Sequence, residues 1–312
     1  MASYNPVPLP YFAPAHTLPA PLPTLEEALS STDILNPRDI PNPSRNGREQ
    51  TRPYVARVGE HFVVKYGKAV SSIEGETMLF VKQHTTIPVP GVYAIYTYDE
   101  DKTMIIMEFI DGLLLSDFKF MLDPELTPPI MAQLRTQVNQ LRQIPAPAYY
   151  GTLGHRPFTN YRTGRKYGPF DSFADQVDAA FDKMFPTDGF EHLVDVKRFF
   201  RFTFYSIAIE LGHSHPVFSH SYIHEKNIIV RSDGTPVLID YQLAGFYPAY
   251  HEYVVTGVIK HSQPFLDEEF PQEDEILDTA IQALRKADHD HWVAQIKEKN
   301  ALKTDGDSQD AD

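Results

Sequence analysis

Proline crowding at the start of the chain sets the strongest limit on how it can fold. Ten of the 26 prolines lie within the first 43 of the 312 residues. Proline lacks the backbone N–H that helix interiors and central strands need. Residues 1–50 are therefore predicted to be an extended arm, and the sequence leaves open whether this arm docks on its own globular body or on a neighbouring molecule. One short helix is predicted within it, where Thr24 can cap Leu25–Leu29.

The composition predicts a globular body and argues against several kinds of partner. Hydrophobic residues make up 42% of the chain, enough for a sizeable core. The net charge of −14 argues against nucleic acid and against an anionic membrane surface as partners. The chain has no cysteine, which excludes disulfides and thiolate chemistry. With no long apolar stretch and no visible secretory leader, a cytoplasmic protein is expected, and its oligomeric state stays open.

Residues 51–112 have the pattern of a small lobe that contains a sheet and one helix. His61–Tyr66 alternates in polarity as a strand does, and Glu74–Gln83 places apolar residues at helical spacing. Two more strands are predicted at Val92–Tyr98 and Thr103–Phe109, joined by a short charged turn. This segment is therefore predicted to be a β-rich N-lobe.

Residues 113–300 are predicted to form a larger, mainly helical C-lobe. It is interrupted by a compact hairpin at 217–241, with strands at Asn227–Val230 and Pro236–Asp240. The last residues, 301–312, are acidic and polar and are predicted to be a disordered tail.

A strand lysine in a β-rich lobe, followed by an asparagine and an aspartate in a hairpin, suggests phosphoryl transfer. That reaction depends mostly on positioning and on neutralising the charge of the phosphates. A strand lysine holds the phosphates and a helix glutamate holds the lysine, while an asparagine and an aspartate hold Mg²⁺. A further aspartate orients the attacking hydroxyl.

Six segments resemble the aminoglycoside phosphotransferase and choline kinase-like family, particularly its fungal members. They are RVGEHFVVKYG at 57–67, EGETMLFV at 74–81, IPVP at 87–90, IIMEFIDG at 105–112, GPF at 168–170 and IDYQLAGFYP at 239–248. The resemblance implies an α+β, bilobal, protein-kinase-like fold with a small β-rich N-lobe and a larger helical C-lobe. It also implies a small-molecule substrate or ligand, with ATP and Mg²⁺ as cofactors.

The resemblance implies a nucleotide site around Lys65, which corresponds to the phosphate-holding lysine. Val63, on the same face of the strand, would contact the adenine. Glu74 corresponds to the helix partner of the lysine, although Glu76 is close enough in sequence to compete for that role.

The resemblance also assigns the adenine-reading segment and the metal ligands. The backbone groups of Glu108 and Ile110 would read the edge of the adenine. Asn227 and Asp240 correspond to the two Mg²⁺ ligands.

The catalytic loop departs from the family pattern at the position of its base. The family has His-Gly-Asp, with an asparagine five residues after the aspartate, whereas this chain has His220, Ser221 and Tyr222 before Asn227. A phenol with a pKa near 10 cannot serve as a carboxylate base at neutral pH. Losing a general base costs about 10²–10⁴ in rate. Because serine stands in place of glycine at 221, the sequence does not determine whether the loop has the backbone conformation of the family.

Three functions follow as alternatives. The first is a diverged phosphotransferase-like protein, or pseudokinase, whose kinase chemistry is impaired at Tyr222. The second is a kinase fold repurposed for ATP-independent acid–base chemistry in secondary metabolism, as an isomerase, dehydratase or cyclase. Its acid–base groups would be Tyr222, His220, His224 or Glu225. The third is an active ATP-dependent small-molecule kinase with an unusual catalytic loop.

Overall fold

The structure is a computed structural model that describes residues 4–36, 53–118, 127–159, 165–184, 191–256, 266 and 269–307. The strands described are β1 (Tyr11–Phe12), β2 (Tyr54–Val58), β3 (Phe62–Gly67), β4 (Val92–Tyr98), β5 (Lys102–Glu108), β6 (Gly112–Leu114), β7 (Phe158–Thr159), β8 (Lys166–Tyr167), β9 (Pro216–Ser219), β10 (Ile228–Arg231), β11 (Pro236–Leu238) and β12 (Gly245–Pro248). The helices described are α1 (Leu25–Ser30), α2 (Ser72–His84), α3 (Leu115–Phe118), α4 (Thr127–Arg142), α5 (Phe173–Met184), α6 (Val194–Glu210), α7 (His251–Val255) and α8 (Pro271–Asp307). The chain forms two compact units, one of residues up to 171 with 216–268, the other of 172–215 with the residues from 269 onwards.

A five-stranded antiparallel sheet forms the N-terminal part of the first unit. Its strand order is β1-β4-β5-β3-β2, so β5 is central. Lys65 of β3 lies opposite Val55 of β2 and Ile105 of β5. The strands and the helix predicted between residues 57 and 110 are confirmed, with bounds that differ by at most two residues. The mixed α+β class is confirmed as well.

The proline-rich arm lies on this sheet. Its β1 pairs with β4, and Ile34 forms an isolated bridge with Ala56 of β2. The predicted helix α1 is confirmed, because the side chain of Thr24 and a glutamate three residues later form a capping box. The arm thus docks on its own chain, where it supplies an edge strand to the five-stranded sheet. Residues 1–3 and 37–50 of the predicted arm lie outside the described residues.

The predicted hairpin forms part of a second sheet, with strand order β11-β10-β6. Gly112 of β6 lies opposite Arg231 of β10. The Arg231 guanidinium also donates to a carboxylate oxygen of Glu108 at 2.9 Å. Such contacts join residues 216–268 to the N-terminal sheet. For this reason the boundaries between the two compact units do not coincide with the lobe boundary that was predicted at residue 112.

Replacing Gly112 by alanine is expected to lower the free energy of unfolding by about 1–3 kcal/mol. A Cβ atom there would lie 2.4 Å from the carbonyl oxygen of Val230, a backbone atom that cannot rotate away. Gly91→Ala is the matched control, since its Cβ would meet other atoms at ordinary contact distances of 3.5 Å or more. Urea unfolding checks both variants. Equal losses in the two would contradict this packing explanation.

The second unit contains α5, α6 and α8. Phe181 of α5 packs against Phe204 of α6, with ring centroids 5.8 Å apart. Helix α8 continues to Asp307 and so overlaps the start of the tail predicted at 301–312. Residues 308–312 lie outside the described residues. Among the described helices, none combines the length and apolarity needed to cross a lipid bilayer.

Candidate active site

Lys65 is the centre of a buried ion cluster that joins three separate elements. Its side chain extends from β3 and is 7% exposed. Its Nζ atom lies 2.8 Å from Oε1 and 2.7 Å from Oε2 of Glu74, on α2. The same nitrogen donates to Oδ1 of Asp240 at 2.8 Å. The structure thus brings together three charged residues that were predicted for one site, of which Asp240 lies 175 positions from Lys65 in the sequence.

Burial and charge act in opposite directions on this cluster. Burial alone would lower the pKa of Lys65, but Asp240 and Glu74 together raise it above its ordinary value. Burial raises the pKa of Glu74 to about 7, against the attraction of the lysine. Two carboxyl groups share one ammonium in this cluster. Above the pKa of Glu74 both are ionised, and the resulting excess of negative charge favours a further cation.

The two glutamates that compete in sequence for Lys65 have different partners. Glu74 contacts the lysine, whereas Glu76 accepts hydrogen bonds from the guanidinium of Arg156 at 2.9 and 3.1 Å. Residues two apart in a helix project about 200° apart, so one lysine cannot pair equally with both. The sequence gives no sign of Arg156 as a partner, because it lies 80 residues away in an irregular loop.

The two residues assigned to Mg²⁺ have donor atoms that suit this cation. The side-chain nitrogen of Asn227 donates to the carbonyl of Tyr222 at 2.9 Å, which orients its oxygen the other way. Asp240 lies just before a 3-10 turn with a left-handed backbone, φ +67°. Its Oδ2 accepts from Gln242 at 3.3 Å. A carboxylate and an amide oxygen are ligands that Mg²⁺ takes together with phosphate oxygens, so the residues fit the ion.

The residues assigned to the adenine lie around the C-terminal end of β5. Val63 of β3 is directly opposite Met107 of β5, and Ile110 is buried. The N–H of Glu108 donates to the carbonyl of Gly91 at 2.7 Å, so this N–H is used within the fold. The roles of Val63, Glu108 and Ile110 at a nucleotide stay predictions.

Both histidines predicted as acid–base groups, His220 and His224, form hydrogen bonds with the protein backbone. His220 is fully buried, and its Nε2 donates to the carbonyl of Ile239 at 3.1 Å. Burial lowers the pKa of His220 to about 4, so the ring is neutral at ordinary pH. His224 caps the 3-10 turn Glu225–Asn227, where its Nδ1 accepts from the N–H of Lys226. The catalytic roles of His220, His224 and Glu225 stay predictions.

The loop at Ser221 keeps a backbone conformation that favours glycine. Ser221 has φ +63°, in the left-handed region. Its N–H donates to both carboxylate oxygens of Glu252, at 2.9 and 3.1 Å, and its Oγ lies 2.8 Å from Nε2 of His251. Burial raises the pKa of Glu252 to about 7. Sequence reasoning missed this buried anchor, since an isolated glutamate in a short helix carries no motif.

Comparison with known proteins gives one family and a set of distant structures. The sequence profile of the phosphotransferase enzyme family, APH, matches residues 45–289. No curated protein matches the chain. Among solved structures, a thermostable mutant of aminoglycoside phosphotransferase APH(4)-Ia in the apo form is 16% identical, with 65% of this chain and 67% of that chain covered and a TM-score of 0.47. ADP-bound aminoglycoside phosphotransferase APH(2'')-Ib is 14% identical, with 82% and 83% covered and a TM-score of 0.47. The predicted bilobal, kinase-like fold is confirmed by the family match.

Proposed function

The chain belongs to the phosphotransferase enzyme family, and on that premise we propose that it binds ATP with Mg²⁺ at Lys65. We propose further that it transfers phosphate to a small-molecule acceptor slowly. The observation that supports binding is the buried contact of Lys65 with both Glu74 and Asp240. The observation that supports impaired transfer is a tyrosine, Tyr222, at the position of the base.

Each charged residue of the cluster has a defined task in this proposal. Lys65 binds phosphate oxygens, and Glu74 keeps the lysine charged and directed at them. Asn227 and Asp240 would hold Mg²⁺. When bound, this ion would neutralise part of the charge of the phosphates. The ion pair of Lys65 with Asp240 therefore exchanges for contacts with the nucleotide and its metal.

Tyr222 limits the chemical step in this proposal. An acceptor hydroxyl loses its proton during transfer, and a nearby carboxylate speeds that loss by about 10²–10⁴. The phenol of Tyr222 holds its own proton up to a pKa near 10 and cannot replace it. Positioning and charge neutralisation remain, and because phosphoryl transition states are loose, they sustain a slow transfer.

The ATP-independent alternative has less support from the geometry. It needs a side chain that exchanges protons with a substrate. His220 is buried and already bonded to a backbone carbonyl, and His224 caps a turn. The roles of Tyr222 and Glu225 in that alternative stay predictions.

Calorimetric titration with ATP, with and without Mg²⁺, tests the proposed function. Saturable binding that strengthens with Mg²⁺ is expected for the wild type. Asp240→Ala should lose the effect of Mg²⁺, because it removes a metal ligand. Asp178→Ala is the matched control, since Asp178 forms a surface ion pair with Arg201 in the second unit. No binding of the wild type at millimolar ATP would overturn the proposal.

A further inference from the structure

The first described residue, Tyr4, contacts the helix that supplies Glu74. Its hydroxyl donates to the carboxylate of Glu76, on α2. Its ring meets that of Phe80, one turn further along the helix, edge to face with centroids 6.1 Å apart. The start of the proline-rich arm is therefore attached to α2 by a polar and an apolar contact.

Arg156 is the third member of this contact and comes from a different segment. Its two terminal nitrogens donate to the two oxygens of Glu76 at 3.1 and 2.9 Å, a bidentate arrangement. One of these nitrogens also donates to the Tyr4 hydroxyl at 3.1 Å. The Nε of Arg156 donates to the carbonyl of Leu153 at 2.7 Å, which fixes the guanidinium to its own loop. The arm, the helix and this loop thus converge on one carboxylate.

The charges in this group are stable across the ordinary pH range. The side chain of Glu76 is 3% exposed. Burial would raise the pKa of Glu76, but hydrogen bonds from Arg156 and Tyr4 hold it below its ordinary value. Burial and the neighbouring Glu76 raise the pKa of Tyr4 to about 12. Tyr4 is therefore a neutral donor to a permanent carboxylate, and Arg156 supplies the compensating charge.

The same stretch of α2 packs closely on the sheet between the two glutamates. A Cβ atom added at Gly75 would lie 2.6 Å from the side chain of Ile95, so the helix backbone lies directly against β4. Glu74 on one side of Gly75 contacts Lys65, and Glu76 on the other contacts Arg156. Because a helix moves as a rigid element, a displacement at Glu76 also displaces Glu74 from the lysine.

We propose that Tyr4, Glu76 and Arg156 form a clamp that positions α2, so that Glu74 stays on Lys65. The three are positioning residues, since they act through the Lys65–Glu74 pair. The inference rests on the proposed function, in which that pair holds the phosphates of ATP. In this proposal the N-terminal arm stabilises the nucleotide site through the clamp. Removing the arm should therefore weaken the contact of Glu74 with Lys65 and the binding of ATP.

The first measurement is the reactivity of Lys65 towards acetic anhydride, read by mass spectrometry without any nucleotide. In the wild type the buried and paired amine should react slowly. Arg156→Met should raise its labelling rate about 10- to 100-fold, since it removes a bidentate, charge-assisted contact. Tyr4→Phe removes one hydroxyl and should raise it less, about 3- to 10-fold. The second measurement is the Kd for ATP with Mg²⁺, which should weaken by similar factors.

Two further variants separate positioning from general loss of stability. Arg198→Met is the matched control, since Arg198 pairs at the surface with Asp195 on its own helix, and should leave Lys65 labelling unchanged. Arg156→Lys keeps the charge but loses the bidentate fork, so it should give an intermediate labelling rate. If Arg156→Met does not fold, Tyr4→Phe still decides the question, because it leaves the ring contact with Phe80 in place.

The outcomes distinguish the clamp from the nucleotide proposal. Faster labelling of Lys65 in folded Tyr4→Phe supports the clamp even if the wild type proves not to bind ATP, in which case the proposed function fails alone. Labelling at the wild-type rate in Tyr4→Phe, and in Arg156→Met if that variant folds, would overturn the clamp, whatever the result with ATP.

Discussion

Replacing Lys65 with methionine is expected to abolish Mg²⁺-dependent ATP binding and to lower the free energy of unfolding by about 3–5 kcal/mol at pH 8. Methionine preserves the unbranched shape of the side chain but leaves Glu74 and Asp240 without their shared cation. Glu74 is 2% exposed, so water cannot take the place of the ammonium. Calorimetric titration measures the binding, and urea unfolding measures the stability.

The loss of stability in Lys65→Met should grow as the pH rises. Burial raises the pKa of Glu74 to about 7 with the lysine present, and removing the ammonium raises it further. A carboxyl with a raised pKa in the folded state favours folding while it is protonated. That contribution is lost as the pH rises through the folded-state pKa. The difference from the wild type should therefore be small near pH 5 and large at pH 9.

A double variant separates the folding effect of Lys65 from its role in binding. In Lys65→Met/Glu74→Gln no charge is left unpaired on α2, so most of the stability should return and the pH dependence should flatten. ATP binding should remain absent, because the phosphates still lack the ammonium group of Lys65. Wild-type affinity in either variant would mean that Lys65 is only a structural charge, and the proposed nucleotide site would be wrong.

The charged centre of the site could be predicted because each member occupies a defined place in a patterned element. Lys65 lies in an alternating strand, and Asp240 ends a hairpin that the turn before Pro236 marks clearly. Glu74 could not be separated from Glu76 in the same way. The choice depends on Arg156, whose place beside α2 is set by packing over 80 residues of intervening chain.

The course of the N-terminal arm could not be predicted beyond its extended form. A proline-rich segment has no hydrophobic period that marks a buried face, so the sequence leaves its partner undefined. The Tyr4 hydroxyl meets Arg156 across 152 positions of the sequence. The left-handed backbone of Ser221 was likewise hidden, because serine at that position carries no signal for a positive φ.

Replacing Tyr222 with aspartate is expected to raise the release of γ-phosphate from ATP about 10²- to 10⁴-fold. A carboxyl with a pKa near 4 is ionised at neutral pH and accepts the proton of an attacking hydroxyl or water. The side chain of Asn227 holds residue 222 through the backbone carbonyl, at 2.9 Å. That contact does not depend on the tyrosine ring, so the loop should keep its shape. A coupled assay for ADP, with water as acceptor, measures the rate.

Matched variants at the same position show whether the gain comes from the carboxylate. Tyr222→Asn has the size of aspartate without its charge and should stay near the wild-type rate. Adding Asp240→Ala to Tyr222→Asp should abolish the gain. Mg²⁺ then loses its carboxylate ligand, and the charge of the phosphates is no longer neutralised by the metal. Tyr222→Phe should leave ATP turnover unchanged, whereas the ATP-independent alternative expects it to stop the reaction in which the phenol takes part. Equal turnover in the aspartate and asparagine variants would place residue 222 away from the attacking group, and the tyrosine could not then explain slow transfer.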